Sequence, residues 1–354
     1  MIAFWQRVDG KIEKITDTSK LKPKEYTWID ARNVNKEDIR VLQEEYGVLE
    51  EHILDILDPD ELSRVEKEDD YTVVIARFPI YLPSDGVSYF TTPIGMILRA
   101  KQIITICWTD CEVLQALVST RIKQVPITDL PSFIIRMLSL ADLTFLRYLK
   151  EINRRSTLIQ DELSRSIKND ELIKLLNLEK SLVFFTTSLK SNQLLLEKLQ
   201  KTRWINFDTE DREYLGDVEI DNRQAIEMAD TYSDIMSGMM DAFASVISNN
   251  LNIVMKKLTV ISLILMMPTF IVSFFGMNVP LPFAERGWLG VCIIAVLCAS
   301  TSIIAYLVIN ITENPAPKAA KIKKVREIDE NRKKTKRIGK IGRIGRIGKI
   351  KMGD

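Results

Sequence analysis

Along the first 130 residues the apolar positions come in short runs. "YTVVIARFPIYL" (71–82), "TPIGMILRA" (92–100) and "QIITICW" (102–108) are period-two or continuous apolar segments rich in β-branched residues. Pro-Ser-Asp-Gly and Ala-Lys separate them, a pattern that predicts neighbouring antiparallel strands. The opening "MIAFWQRVDGKIEKI" has no cationic start followed by an apolar stretch. It reads as strand, turn at Asp9-Gly10 and strand rather than as a leader. Two helices are expected to cover the sheet. "NKEDIRVLQEEYG" opens on an Asn cap with acidic residues in its first turn and ends at Gly47, and "EEHILDILD" stops before Pro59.

Beyond residue 130 the period lengthens to three and four. Residues 131–166 and 170–201 read as an antiparallel helical hairpin turning at Lys168-Asn169. From 217 to 275 there is one proline, Pro268, and one glycine, Gly238. A single helix of nearly sixty residues is predicted there, on the order of 85 Å long. In its outer part, 258–275, the only polar side chains are Thr259, Ser262, Thr269 and Ser273, and 288–311 carries no charge. Each run is long enough to cross the roughly 30 Å of hydrocarbon in a bilayer.

Charge orients these spans. Lys256 and Lys257 precede the first, Lys318, Lys321, Lys323 and Lys324 follow the second, and the loop between them holds only Glu285 with Arg286. Both ends are therefore expected in the cytoplasm, in a cell (inner or plasma) membrane. The formal net charge of +1 conceals an asymmetry, because residues 315–354 carry +11 and leave −10 for the rest. The expected organisation is a cytoplasmic α/β domain (1–130), an antiparallel helical hairpin (131–203) and a stalk helix (204–257). A first membrane helix (258–278), an external loop (279–287), a second membrane helix (288–311) and a basic cytoplasmic tail (312–354) complete it.

The tail "KRIGKIGRIGRIGKIK" (336–351) places Gly at every third position, which disfavours a helix. Its charge suits anionic lipid headgroups, and with no aromatics to stack on bases it is not expected to bind nucleic acid. The chemistry available elsewhere is sparse. One histidine, His52, expected at the surface or its boundary, and four cysteines (Cys107, Cys111, Cys292, Cys298) cannot assemble a zinc site on the usual spacings. No Gly-rich phosphate loop and no paired-carboxylate site occurs, so neither an enzyme nor an organic cofactor is expected.

What remains is a stripe. At 100° per residue, Asn252, Met255, Thr259, Ser262, Met266, Thr269, Ser273 and Met277 fall within about 100° of one another, while the rest of the circumference is Leu, Ile, Val and Phe. Two readings stay open: packing between membrane helices, or the lining of a water-accessible path enclosed by several copies.

"FFGMNVP" resembles the Gly-Met-Asn signature of the CorA family of divalent-cation channels. "SNNLNIVMKKLTVISLILMMPTFIVSFFGMN" is similar to that family's first membrane helix, "LEEHILDILDPDELSRVEKEDDYTVVIARF" to its N-terminal α/β segment and "SDIMSGMMDAF" to its stalk. The resemblance implies a homopentamer with a CorA-like cytoplasmic funnel, its pore lined by the first span and the second span outside. Hydrated divalent cations, chiefly Mg²⁺ with Co²⁺ or Ni²⁺, would pass a ring of Gly276, Met277 and Asn278. Asn252 would close the inner end, Met255, Leu258 and Met266 would form apolar constrictions, and Thr269 and Ser273 would offer oxygens. The family's regulatory Mg²⁺ between subunits maps onto Asp217 and, less directly, onto Asp85 in a loop of different length. A zinc transporter of the same superfamily and a non-conducting two-span sensor or scaffold are the alternatives.

Overall fold

A computed structural model describes residues 2–8, 11–16, 21–22, 26–84, 86–118, 129–165, 169–277 and 287–313. The chain divides into two units, Met1–Ser245 and Val246–Asp354.

The first unit is built on a seven-stranded sheet. Its strands are β1 (Ile2–Val8), β2 (Lys11–Ile15), β3 (Thr27–Arg32), β4 (Arg64–Lys67), β5 (Thr72–Tyr81), β6 (Tyr89–Arg99) and β7 (Gln102–Cys107), in the order β2-β1-β3-β7-β6-β5-β4. Every neighbouring pair is antiparallel except β3 with β7, where Ile29 stands opposite Ile104 in parallel register. Strands β5 to β7 read as nearly continuous apolar runs because both of their faces are covered. Val73, Ile75, Ile97, Ile104 and Ile106 lie under α1 (Lys36–Glu44) and α2 (Glu50–Leu57). The alternate residues Val74, Ala76, Phe78, Ile94, Met96 and Ile103 face α3 (Glu112–Val118), α4 (Leu130–Arg165) and α5 (Asn169–Lys201).

Helix α1 forms where its caps allow. Asn35 Oδ1 accepts from the amides of Glu37 and Asp38 at 2.9 and 2.8 Å, and Asp38 returns a carboxylate oxygen to the Asn35 amide at 3.1 Å. It ends at Gly47, whose φ of +58° lets Val48 N reach Leu42 O at 3.0 Å. The long helix α6 (Thr209–Phe275) starts eight residues before the expected 217, because Asp208 caps it by accepting from Asp211 N at 2.8 Å. A second apolar core joins α4, α5 and α6 through Phe145, Leu149, Leu182, Phe185, Ala225 and Ala229.

Three elements were not expected from sequence: β3, β4 and α3. His52 departs from its expected place at the surface or boundary. It is buried, with Nδ1 3.0 Å from the Tyr71 hydroxyl and Nε2 facing Glu66 and Glu68 at 3.5 and 3.6 Å, because α2 lays it against the sheet. The Asp9-Gly10 turn and the basic repeat 336–351 lie outside the described residues.

The second unit contains the outer part of α6 and α7 (Trp288–Glu313). Both helices are long and apolar enough to cross a membrane.

Candidate functional site

The apolar part of α6 has one face that another element covers. Val260, Ile264, Pro268, Ile271 and Phe275 are half-buried at spacings of four, four, three and four, while the residues around them are exposed. On α7 the covered positions are Gly290, Ile293, Ile294, Cys298, Thr301, Ser302 and Ala305, again at spacings of three and four. Cys298 Sγ donates to the carbonyl oxygen of Pro268 at 3.9 Å, so these two faces meet. Five of these seven α7 residues are small, which lets the helix axes come close.

The predicted stripe lies elsewhere. At 100° per residue its centre is about 180° around α6 from the α7 contact. Asn252, Met255, Thr259, Ser262, Met266, Thr269, Ser273 and Met277 are all exposed, as is Leu258 at the stripe's edge. Exposure alone does not single them out, since Leu263, Leu265 and Val272 on the flanks, and Phe270 in line with Asn252, are exposed too. Composition does: along 258–275 the flanks are Leu, Ile, Val and Phe with Met267 as the one thioether, and the Thr and Ser side chains all sit on the side that a single chain leaves open.

The hydroxyls on this stripe are oriented by their own helix. Thr259 Oγ1 donates to Met255 O at 2.9 Å, Ser262 Oγ to Leu258 O at 2.9 Å and Thr269 Oγ1 to Leu265 O at 2.8 Å. With its proton on the backbone, each hydroxyl presents lone pairs outward and acts as an acceptor. Acceptors suit the water protons of a hydrated cation, whose waters point their oxygens inward at the metal.

The helix closes where the tripeptide begins. Gly276 N donates to Val272 O at 2.9 Å, and Met277 N to Phe274 O at 3.4 Å tightens the last turn. A Cβ on Gly276 would stand 3.3 Å from Val272 O, closer than ordinary contact. Asn278 and Glu285 lie outside the described residues, and so does Asp85. Asp217 is exposed on α6 within the first unit, between Leu215 and Val218, which face the core. Its expected partnership with Asp85 is therefore not placed. Among the described residues no three His, Cys, Asp or Glu side chains come together as a metal set.

Sequence periodicity missed a buried polar contact between α4 and α6. Asn222 on α6 donates from Nδ2 to Asp142 Oδ1 on α4 at 3.1 Å. The only local signal was an Asp set in the apolar stretch "SLADLTFL".

The sequence profile of the family described as "CorA-like Mg2+ transporter protein" matches residues 23–311. The cobalt/magnesium transport protein CorA of Methanocaldococcus jannaschii is 27% identical over 299 residues, which are 82% of this chain and 93% of the relative. The complete structure of the CorA magnesium transporter from that organism is similar with a TM-score of 0.73 at 23% identity, covering 87% of this chain and 96% of the other. The cytoplasmic domain of ZntB from Vibrio parahaemolyticus is similar at a TM-score of 0.54 and 13% identity, over 71% of this chain and 97% of that one. At these identities the structural likenesses establish the fold.

Proposed function

The chain belongs to the family of CorA-like Mg2+ transporter proteins, and on that premise we propose that five copies enclose a pore for hydrated divalent cations with the open stripe of α6. Mg²⁺ is the principal cargo, with Co²⁺ or Ni²⁺ beside it. The observation that carries this reading is the opposition of the two α6 faces: α7 packs on one, and the Asn, Thr, Ser and Met side chains occupy the other.

The chemistry follows from the cargo. Mg²⁺ surrenders its waters reluctantly and prefers octahedral oxygen coordination. The carboxamides of Asn278 beside Gly276 and Met277, and of Asn252 at the inner end, accept hydrogen bonds from those waters. The Thr259, Ser262, Thr269 and Ser273 oxygens continue the path. Met255, Leu258 and Met266 narrow it with apolar side chains, where dewetting stops conduction. No carboxylate stands on the stripe, so the ion is guided without being trapped. A divalent cation moving inward through 100 mV releases about 4.6 kcal/mol, which drives uptake without a nucleotide.

In this reading residues 1–257 and the tail 312–354 lie in the cytoplasm and 279–287 outside. The brake is Mg²⁺ held at a subunit boundary by Asp217, with Asp85 of the neighbouring α/β domain, and the unbroken α6 carries the brake's movement toward the pore. Zn²⁺ is the rival cargo. A non-conducting scaffold would give a weakly polar face opposite α7 nothing to do.

The test is Mg²⁺ entry into liposomes of the purified protein under a negative-inside potential. Asn278→Ala and Met266→Trp on the stripe abolish entry while the particle stays pentameric. Val272→Trp, on the hydrocarbon flank about 110° from the stripe's centre, leaves entry within about twofold of wild type. Uptake by Met266→Trp at the wild-type rate refutes the stripe as the path.

A further inference from the structure

Asp142 and Asn222 meet where α4 crosses α6, at the seam between the two apolar cores. Leu138, Ala141 and Val218 belong to one core, and Phe145, Leu146, Ala225 and Ile226 to the other. Asp142 is 2% exposed and Asn222 is fully buried. One hydrogen bond joins them, from Asn222 Nδ2 to Asp142 Oδ1 at 3.1 Å, and Asn222 Oδ1 is buried without a partner among the described residues.

The donor count is the problem this pair poses. An ionised carboxylate offers only acceptors, so a charged Asp142 would be held by a single N–H and would do nothing for the orphaned amide oxygen. Exchanging the amide's nitrogen and oxygen only moves the deficit. A neutral acid resolves it, because its O–H is a donor and the amide has a free acceptor. Acid and amide then pair through two legs, N–H to carboxyl oxygen and O–H to amide oxygen.

The electrostatic surroundings agree. Burial drives the Asp142 carboxyl well above the carboxylate range, the Asn222 bond offsets this only in part, and Asp221 on α6 raises it further. Among the described residues no cation bears on it. Arg223 of α6 is engaged by Glu219 at 2.9 Å, Glu219 by Gln200 of α5 at 2.8 Å, and Arg147 of α4 by Glu112 at 2.6 Å.

We propose that Asp142 keeps its proton in the folded protein and forms with Asn222 a proton-held latch between α4 and α6, which loosens when the acid ionises. The latch does not depend on what the protein conducts. It acts on α6 within the first unit, upstream of the apolar stretch of the same helix.

The sign of its pH dependence is fixed. The folded carboxyl titrates above the unfolded value of about 3.9, so between the two the folded state holds the extra proton and stability falls as pH rises. The latch is intact below the unfolded value and is lost as pH climbs through the folded one.

The experiment uses the full-length protein in detergent. Wild type is expected to show a carboxylic-acid C=O infrared band near neutral pH that Asp142→Asn lacks and that fades on alkalinisation. Amide exchange in residues 215–229, compared at equal pH so that intrinsic rates cancel, should match between the two proteins at about pH 5 and be several-fold faster in wild type above the titration. The exchanged pair Asp142→Asn with Asn222→Asp restores both the band and the pH-dependent exchange, and it serves if the single variant folds poorly. Absence of an acid band that either variant changes, or exchange curves that run parallel at all pH values, overturns the latch.

Discussion

Gly95 in β6 has the closest neighbours of the described glycines, and adding one methyl group there tests the packing directly. A Cβ at Gly95 would stand 2.1 Å from Ile56 Cδ1, 2.4 Å from Cγ1 and 3.1 Å from Cγ2. Carbon atoms rest at about 3.5–4.0 Å, so Gly95→Ala demands a displacement of more than 1 Å. Rotating the end of Ile56 moves Cδ1 but leaves Cγ1 in place, and Ile56 is fully buried with no room to swing out. The remedy is a shift of α2 off the sheet. Over-packing of this kind costs about 1–3 kcal/mol, and with three atoms in conflict Gly95→Ala is expected at the upper end.

The partner substitutions discriminate. Ile56→Val removes only Cδ1 and rescues little. Ile56→Ala removes all three clashing atoms, and although its own cavity costs about 2–5 kcal/mol, the double variant should lose about 1–3 kcal/mol less than the sum of the singles. Urea unfolding of the full-length protein in detergent, followed by the fluorescence of buried Trp28, measures each corner of the cycle. A Gly95→Ala variant within about 0.5 kcal/mol of wild type, or strict additivity with Ile56→Ala, refutes the contact as the reason for glycine here.

Two further outcomes follow from buried groups. Arg77 donates to the carbonyls of Pro59 and Glu61 at 2.8 and 2.6 Å and to the hydroxyls of Thr91 and Ser188, tying the segment after α2 and helix α5 to the sheet. Arg77→Ala should cost about 3 kcal/mol or more in urea unfolding and Arg77→Lys should recover less than half, because an ammonium cannot span four acceptors; full recovery with Lys would contradict this. Burial pushes the Cys107 thiol up to about 11 and the Cys111 thiol up to about 12. A maleimide at neutral pH should therefore label both only after unfolding, and stoichiometric labelling of the native protein would show that they are accessible.

The elements legible in the sequence share a cause. Strands β5 to β7 are covered on both faces and therefore wrote themselves as apolar runs, α1 announced its ends through Asn35 and Gly47, and the two apolar helices needed only length. The weakly polar stripe was equally visible, because it is a property of one helix read at 100° per residue. What periodicity could not supply was the partner of each face. Strand β3, "TWIDAR", hides behind charge: Asp30 is buried and becomes tolerable only because Arg32 pairs with it at 2.8 Å and Thr105, on a neighbouring strand, donates to it at 3.2 Å. His52 is peripheral by sequence and buried in the fold, where Tyr71 packs against it. That α7 covers the face of α6 opposite the stripe, and that Asp142 meets Asn222 eighty residues away, were decided by packing alone. A sequence records which side of an element avoids water. Which other element supplies the cover, and whether a buried polar atom finds its donor there, depends on contacts between segments far apart in the chain.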